Sequence, residues 1–238
     1  MEQSKCRVYS RFTATRSDGS TVKLRIQDMP PEYLEAAIDI QNEYFTKEEP
    51  YHRAAGIYKN ADAKAESRQL LMGYLHALKS HVDICCVDDD PDVVGALAGV
   101  SAMYLTEGSE DFSMLKGETK ENMKLIEIWR KTFHCYDVKK EQNVDKYYED
   151  LFIVVHPDYR RLGIAKEFLK ARRLICELDK VPMACSWMSA LGTQKAGEAD
   201  GWQTVVENSN EEIAKRFDVV FEDAPPTNKY MLVRVPLK

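Results

Sequence analysis

The sequence lacks an apolar run long enough to cross a membrane, and its first residues do not resemble a secretory signal. The longest apolar stretch, residues 93–105, is shorter than the ~20 residues that a membrane-spanning helix needs. Residues 1–20 are polar and contain no apolar centre. These absences predict a cytoplasmic protein without a membrane partner.

Cysteine and histidine are present, but without the spacing that metal sites and small disulfide frameworks require. The six cysteines include no C-x-x-C pair, and the five histidines are scattered without metal-ligand spacing. In a chain of 238 residues this distribution predicts reduced thiols and no bound metal.

An excess of positive charge is also missing. The net charge of −6 argues against a nucleic acid as partner and is compatible with a cationic small molecule. Neither the G-x-S-x-G turn of serine hydrolases nor the G-x-x-x-x-G-K phosphate loop occurs. Since there is also no repeat, low-complexity tract or linker, we expect one domain over residues 1–238, taken to be a monomer.

What the sequence does contain is a strand followed by a helix within residues 150–169. Residues 151–155 are apolar and rich in β-branched side chains, which is typical of a strand buried on both faces. From Ile164 onward apolar residues recur at helical spacing. Pro157 and Asp158 mark the turn between them, and Gly163 stands at the entrance of the helix.

The turn between this strand and helix has the properties of an anion site. The first turn of a helix presents unpaired N–H groups and the positive end of the helix dipole. Arg160 and Arg161 add two positive charges at the same place. A solvated turn without a ligand could have the same composition, so the interpretation depends on the whole string.

The string Arg160-x-x-Gly163-x-Ala165, preceded by an apolar strand and His-Pro-Asp-Tyr, resembles the acyl-CoA motif of the GCN5-related N-acetyltransferase (GNAT) superfamily. The resemblance implies an α/β (α+β) fold with a central, mixed, mostly antiparallel twisted sheet flanked by helices. It also implies that two strands splay apart to form a groove for the cosubstrate acetyl-CoA.

Hydrophobic periodicity predicts the elements of the rest of the chain. The predicted strands cover residues 7–15, 21–27, 82–87, 93–105, 151–155, 181–186, 202–207 and 229–235. The predicted helices cover residues 30–45, 61–80, 120–136, 164–178 and 189–199. The third helix carries an aromatic face, which we expect to line an acceptor pocket, made of Leu125, Trp129, Phe133 and Tyr136.

Two further features make the chain resemble the insect arylalkylamine N-acetyltransferase-like branch. Lys47-Glu48-Glu49-Pro50 follows the first helix, and Ser189 and Thr193 precede Gly201-Trp202. In such enzymes the pantetheine arm of acetyl-CoA pairs with a free strand edge, and the following loop binds the pyrophosphate. The resemblance therefore implies acetyl-CoA contacts from Ile153, Val154, Val155, Arg160, Arg161, Leu162, Gly163, Ile164, Ala165 and Lys166.

An acceptor amine that arrives as an ammonium must lose a proton before its nitrogen attacks the thioester. The resemblance selects Glu49, the residue before proline, as the base, although chemistry alone leaves Glu48 open. Because Pro50 excludes its neighbour from helical geometry, Glu49 is expected at a helix exit. The resemblance implies Ser189 and Thr193 as catalytic hydroxyls on one face of a short helix, with capping and packing as the alternative roles.

The predicted reaction is direct acetyl transfer to a small primary amine in a ternary complex. By resemblance the acceptor is an arylalkylamine such as dopamine, tyramine, octopamine or serotonin, and the alternatives within the branch are agmatine, other polyamines and hydrazines. Gly197 excludes the tyrosine acid that many N-acetyltransferases carry at that place. Because Gly197 and Thr193 depart from the familiar pattern, a catalytically weak acyl-CoA-binding module stays open, as does a protein N-acetyltransferase.

Overall fold

The fold is organised around one eight-stranded sheet. The computed structural model describes residues 6–107, 116–133 and 135–237. The strands are β1 (Val8–Thr15), β2 (Thr21–Asp28), β3 (Ser80–Val87), β4 (Leu97–Thr106), β5 (Tyr147–Val155), β6 (Met183–Met188), β7 (Gln203–Ser209) and β8 (Thr227–Arg234). They lie in the order β1-β2-β3-β4-β5-β6-β8-β7.

Neighbouring strands are antiparallel except for β5 and β6, which are parallel. This arrangement confirms the expected mixed, mostly antiparallel sheet. The parallel pair is joined only at Tyr148 with Ala184 and at Glu149 with Cys185. Beyond Glu149 the two strands separate, so the edge of β5 that faces β6 has no strand partner over residues 150–155.

Helices cover both faces of the sheet. They are α1 (Leu34–Ile40), α2 (Thr46–Glu48), α3 (Pro50–Ala55), α4 (Ala61–Ala77), α5 (Lys120–Thr132), α6 (Val138–Gln142), α7 (Ile164–Leu178), α8 (Leu191–Ala199) and α9 (Asn210–Phe217). A π-helical stretch, Gln41–Phe45, joins α1 to α2 without a break in the chain direction.

The alternation of side chains along β5 shows how the layers form. Phe152 and Val154 pack on one face with Ile38 of α1 and Leu71 of α4. Ile153 and Val155 point to the opposite face, where Phe168 and Ala171 of α7 pack. Residues 151–155 of this strand are therefore covered on both faces, as their apolar sequence predicts.

A bulge in β5 lies where the strands separate. Asp150 pairs with Met103 and Phe152 with Ala102, which leaves Leu151 unpaired. The guanidinium of Arg172, from α7, is fully buried beside this bulge. It lies 2.5 Å from the Asp150 carboxylate and donates to the carbonyls of Ala102 and Phe152 at 3.2 Å. Arg172 thus holds the bulged strand to its neighbour.

Several predicted boundaries differ from the structure. β5 begins at Tyr147, four residues before the predicted strand, and β4 begins at Leu97 where residue 93 was expected. α5 ends at Thr132, short of residue 136. Short helices α3 and α6 were not predicted, and α9 lies between the last two predicted strands, where no helix was predicted.

Candidate active site

Two cavities meet at the end of α2. One, of about 530 Å³, follows the free edge of β5 to the start of α7 and is called the strand-edge groove. The other, of about 290 Å³, lies between α4, α5 and the sheet and is called the aromatic cavity. The residues that line both are Phe45, Glu49, Asp150, Trp187 and Ser189. Glu49 therefore stands at the junction.

The strand-edge groove gathers nearly all the residues that the resemblance implied for acetyl-CoA. It is lined by Ile153, Val154, Val155, Arg160, Arg161, Gly163, Ile164, Ala165 and Lys166. Leu162 is the exception, because its side chain packs against the core beneath α7. The three residues proposed for catalysis, Glu49, Ser189 and Thr193, line the same groove.

The start of α7 is shaped to leave backbone N–H groups facing this groove. Gly163 is the N-cap residue, with φ of 81°, and no side chain caps the helix there. A left-handed conformation of this kind favours glycine. Arg161, with φ of 61°, also has a left-handed backbone. The first turn thus has unpaired donors beside three basic side chains, those of Arg160, Arg161 and Lys166.

Arg160 already has partners on both sides of the groove. Its Nη2 lies 2.5 Å from the Glu48 carboxylate, and its Nε donates to the Val155 carbonyl at 3.2 Å. Both side chains of the ion pair are partly exposed, so solvent screens their attraction. The pair connects the segment that carries Glu49 with the turn that precedes α7.

Aromatic side chains form most of the wall of the second cavity. The predicted face of α5 and the residues after it does line this space, with Leu125, Trp129, Phe133 and Tyr136. The Trp187 ring stacks on Phe133, with centroids 4.5 Å apart, and on Tyr230, with centroids 4.7 Å apart. The result is a small, aromatic compartment that opens to Glu49.

Two buried carboxyl groups of β5 also reach the aromatic cavity. Burial raises the pKa of Glu149 to about 8, and the Tyr230 hydroxyl donates a hydrogen bond to that carboxyl. Burial also raises the pKa of Asp150, opposed by the nearby Arg172 guanidinium. Burial therefore favours the uncharged acid form of Glu149.

The Glu49 carboxylate is fixed by hydrogen bonds at the start of α3. Pro50 takes the first helical position, so Glu49 is the extended N-cap residue, with ψ of 127°. Its Oε2 accepts from the N–H groups of Tyr51 at 3.0 Å and His52 at 2.9 Å, and lies 2.7 Å from His52 Nδ1. Its Oε1 accepts from the Ser189 hydroxyl at 2.5 Å.

These hydrogen bonds determine the charge of Glu49. Burial alone would raise the pKa of this carboxyl. The hydrogen bonds from His52 and Ser189, with the charge of His52 when protonated, outweigh burial and place the pKa below the ordinary value of 4.5. Glu49 is therefore a carboxylate at neutral pH.

Ser189 and Thr193 do not form the pair that their spacing predicts. Ser189 lies between β6 and α8, outside the helix, because α8 begins at Leu191 with Ala190 as its N-cap. Thr193 donates to the Ala190 carbonyl at 2.8 Å, whereas Ser189 donates to Glu49. The predicted shared helix face is wrong for Ser189, and its hydroxyl joins the carboxylate network instead.

Two further residues, Gly197 and Cys185, have no direct part in this network. A Cβ atom at Gly197 would lie 2.8 Å from Met188 Sδ, so a side chain does not fit there without displacement of Met188. Cys185 is buried in β6, and burial raises the pKa of its thiol well above the usual value. A buried, protonated thiol is a poor nucleophile.

The residues of the aromatic cavity that sequence reasoning missed include His52, Glu149, Trp187 and Tyr230. For His52 a signal existed, because a carboxylate before Pro50 caps the helix and brings the side chain three residues later into contact. Glu149, Trp187 and Tyr230 come from three different strands. Only the pairing of those strands brings them together.

Within the described ranges, no group of three or more histidine, cysteine or acidic side chains is arranged to hold a metal ion. No helix in that part of the chain has the length and apolarity needed to cross a membrane. Sheet order, the separated parallel strands and the helix that opens at their edge together define the class: this is the fold of the GNAT acetyltransferases.

Solved structures of insect proteins share this fold over nearly the whole chain. A protein assigned as arylalkylamine N-acetyltransferase 7 of the yellow fever mosquito Aedes aegypti superposes with a TM-score of 0.85 and 24% identity, over 99% of this chain and 98% of that one. Arylalkylamine N-acetyltransferase 2 of Aedes aegypti has a TM-score of 0.73 and 16% identity, over 90% and 99%. The Drosophila melanogaster polyamine N-acetyltransferase, which forms N-acetylagmatine, has a TM-score of 0.69 and 9% identity, over 89% and 100%.

The sequence itself matches no protein-family model and no curated protein. At the identities of the structural neighbours, the likeness establishes the fold. The fold that the acyl-CoA motif implied is thus confirmed, including the separated strands beside the groove.

Proposed function

We propose that the protein is an N-acetyltransferase of the GNAT superfamily that transfers acetyl from acetyl-CoA to a small primary amine. One observation carries the proposal: an ionised carboxylate, Glu49, stands where a groove suited to acyl-CoA meets a small aromatic cavity. Donor and acceptor can each occupy one cavity and meet at this carboxylate. That geometry supports direct attack of the amine on the thioester within a ternary complex.

The strand-edge groove supports acetyl-CoA as the donor. The pantetheine arm is an extended, amide-containing chain, and the free edge of β5 over residues 150–155 offers main-chain partners for it. The pyrophosphate suits the uncapped first turn of α7, near Arg161 and Lys166. The thioester would then lie near Val154 and Val155, where a backbone N–H can stabilise the developing oxyanion.

The aromatic cavity supports an arylalkylamine as the acceptor. Stacked rings such as Trp187 and Phe133 offer faces on which another aromatic ring packs. A volume of about 290 Å³ suits a small molecule rather than a protein segment. Glu149 and the Tyr230 hydroxyl provide hydrogen-bonding groups for a polar ring substituent.

The junction supplies groups for the two proton transfers that the reaction needs. The Glu49 carboxylate attracts the acceptor in its ammonium form and assists the removal of a proton from it. Ser189 lines both cavities, which supports a role for its hydroxyl in protonation of the leaving thiolate, and Thr193 lines the strand-edge groove. Because Cys185 is buried, an acetyl-enzyme intermediate on that thiol is disfavoured.

A polyamine such as agmatine is the second candidate acceptor. Glu149 favours it, since a second cation in the aromatic cavity could ionise this carboxyl and pair with it. The fold shared with an enzyme that forms N-acetylagmatine also supports this candidate. Without such a cation, burial favours the uncharged acid form of Glu149, and this form supports the arylalkylamine as the first candidate.

Thiol release from acetyl-CoA over a panel of amines tests the acceptor class. The panel contains tyramine, dopamine, octopamine, serotonin, agmatine, spermidine, a hydrazine and a lysine-containing peptide. We expect the highest kcat/KM with an arylalkylamine. A preference for agmatine would select the second candidate, activity on the peptide above that on free amines would indicate a protein N-acetyltransferase, and tight acetyl-CoA binding without turnover would indicate a binding module.

A further inference from the structure

Glu49 by itself is a weak proton acceptor in this structure. Its two oxygens already accept hydrogen bonds from two backbone N–H groups, the His52 ring and the Ser189 hydroxyl. Those bonds stabilise the ionised carboxylate and lower its affinity for a proton. Removal of a proton from an ammonium therefore requires a stronger proton acceptor close to Glu49.

The His52 ring is held in contact with this carboxylate. Its Nδ1 lies 2.7 Å from Glu49 Oε2, and its edge contacts are with Phe45, at a centroid distance of 5.0 Å, and Trp129, at 5.4 Å. The side chain is only 6% exposed and lines the aromatic cavity. Packing on both sides fixes the orientation of the ring.

The hydrogen bond to Glu49 also assigns the tautomer of His52. An ionised carboxylate accepts only, so the neutral imidazole must carry its proton on Nδ1. The lone pair is then on Nε2, for which the described residues provide no hydrogen-bond partner. A carboxylate on Nδ1 fixes the tautomer and the orientation of an imidazole ring.

We propose that His52 is the general base of the acetyl transfer, with Glu49 as the carboxylate that orients it. This inference rests on the proposed function. An N–H bond of the substrate ammonium breaks, its electron pair stays on the amine nitrogen, and the proton forms a new bond with the Nε2 lone pair. The resulting imidazolium is stabilised by Glu49 across the Nδ1–H hydrogen bond.

The other titratable side chains that line the cavity are less suited than His52 to act as the base. Glu149 is buried as an acid, and Asp150 is beside Arg172. Arg130 also lines the cavity and remains a cation, and the other titratable side chains there are tyrosines. Among the described histidines, none besides His52 lines this cavity.

The choice of substitution separates a base from a residue that only holds Glu49. In His52→Asn the side-chain amide can replace the Nδ1–H donor but has no counterpart of Nε2. We expect kcat/KM for the amine to fall by about 100-fold or more, with acetyl-CoA affinity within threefold of wild type. Imidazole added to His52→Ala should restore part of the rate. His76→Asn, at an exposed histidine that does not line the cavity, is the matched control.

Nitrogen-15 NMR of the ring provides a readout independent of turnover. In the substrate-free protein at pH 8 we expect a proton on Nδ1 and none on Nε2. Activity of His52→Asn within threefold of wild type, or an Nε2 that carries a proton at pH 8, would overturn the role of His52. Turnover by the wild type distinguishes this outcome from failure of the proposed function, which would leave no amine acetylated by any variant.

Discussion

Replacement of Glu49 by glutamine changes the charge at the junction and little else. The amide oxygen can accept the same three hydrogen bonds as Oε2, from the backbone N–H groups of Tyr51 and His52 and from His52 Nδ1. The amide NH2 then takes the place of Oε1, and the Ser189 hydroxyl can rotate to accept from it. Glu49→Gln therefore tests the charge while the local structure is retained.

The expected magnitudes for Glu49→Gln follow from these contacts. Charge-assisted hydrogen bonds become neutral ones, which we expect to cost about 1–2 kcal/mol of unfolding free energy at neutral pH. The carboxylate no longer stabilises positive charge at the junction, so kcat should fall by about 100- to 10,000-fold, or about 3–5 kcal/mol in activation free energy. The affinity for acetyl-CoA should stay within about threefold, because the groove beyond the junction is unchanged.

The stability difference should also depend on pH. Because the folded pKa of Glu49 lies below its ordinary value of 4.5, the carboxylate stabilises the fold above that value. This contribution is lost as the pH falls through the folded pKa, so wild type and Glu49→Gln should converge in acid. Urea unfolding between pH 3 and 7, thiol release and calorimetry with acetyl-CoA measure the three quantities. A kcat within threefold of wild type across this range and up to pH 9 would refute the role of Glu49.

Three further predictions concern the groove and the core. Arg160→Ala should weaken acetyl-CoA binding by about tenfold with kcat at saturation unchanged, whereas Arg11→Ala, on the exposed side of β1, should alter neither in calorimetry and kinetics. Gly163→Val should weaken acetyl-CoA binding and lower the unfolding free energy by about 1–2 kcal/mol, because its φ of 81° strains a β-branched residue, and Gly163→Asn should be milder in both measurements. Burial raises the pKa of Asp83 from 3.8 to about 7, so the wild type should lose stability as the pH rises between these two values. Asp83→Asn should remove this loss, which is on the order of 4 kcal/mol. Equal stability of the two proteins at pH 8 in urea unfolding would contradict the burial argument.

Local pattern was sufficient for much of the fold. The apolar run at 151–155 and the helical spacing from Ile164 onward each predict the element that the structure contains. α9 was within reach as well, since Ser209 caps it and Ile213 and Phe217 form its buried face. Its first turn is acidic, with Glu211 and Glu212, and an acidic composition is also typical of loops.

The start of β5 was not predictable in the same way. Glu149 and Asp150 are charged types in a buried strand, which a pattern of hydrophobicity excludes. They are accommodated through Tyr230, from β8, and Arg172, from α7. Both partners are distant in sequence, so only the tertiary structure shows why these residues are inside.

The candidate site also has one part that local sequence predicts and one part that only the tertiary structure brings together. The acyl-CoA motif is contiguous in sequence, so the residues of the groove could be named from the string alone, with Leu162 as the one that turns into the core. The aromatic cavity, by contrast, is assembled from α3, α4, α5 and four strands, which are β4, β5, β6 and β8. The contact of Ser189 with Glu49 spans 140 residues, and no spacing rule predicts it.

Initial rates of thiol release, with acetyl-CoA and an arylalkylamine varied together, test the central claim most directly. Transfer at the junction of two cavities predicts intersecting double-reciprocal lines, with the N-acetylated amine identified as the product by mass spectrometry. Parallel lines would instead indicate an acetyl-enzyme. The absence of thiol release with every amine of the panel, from a protein that binds acetyl-CoA in calorimetry, would contradict the proposed acetyl transfer.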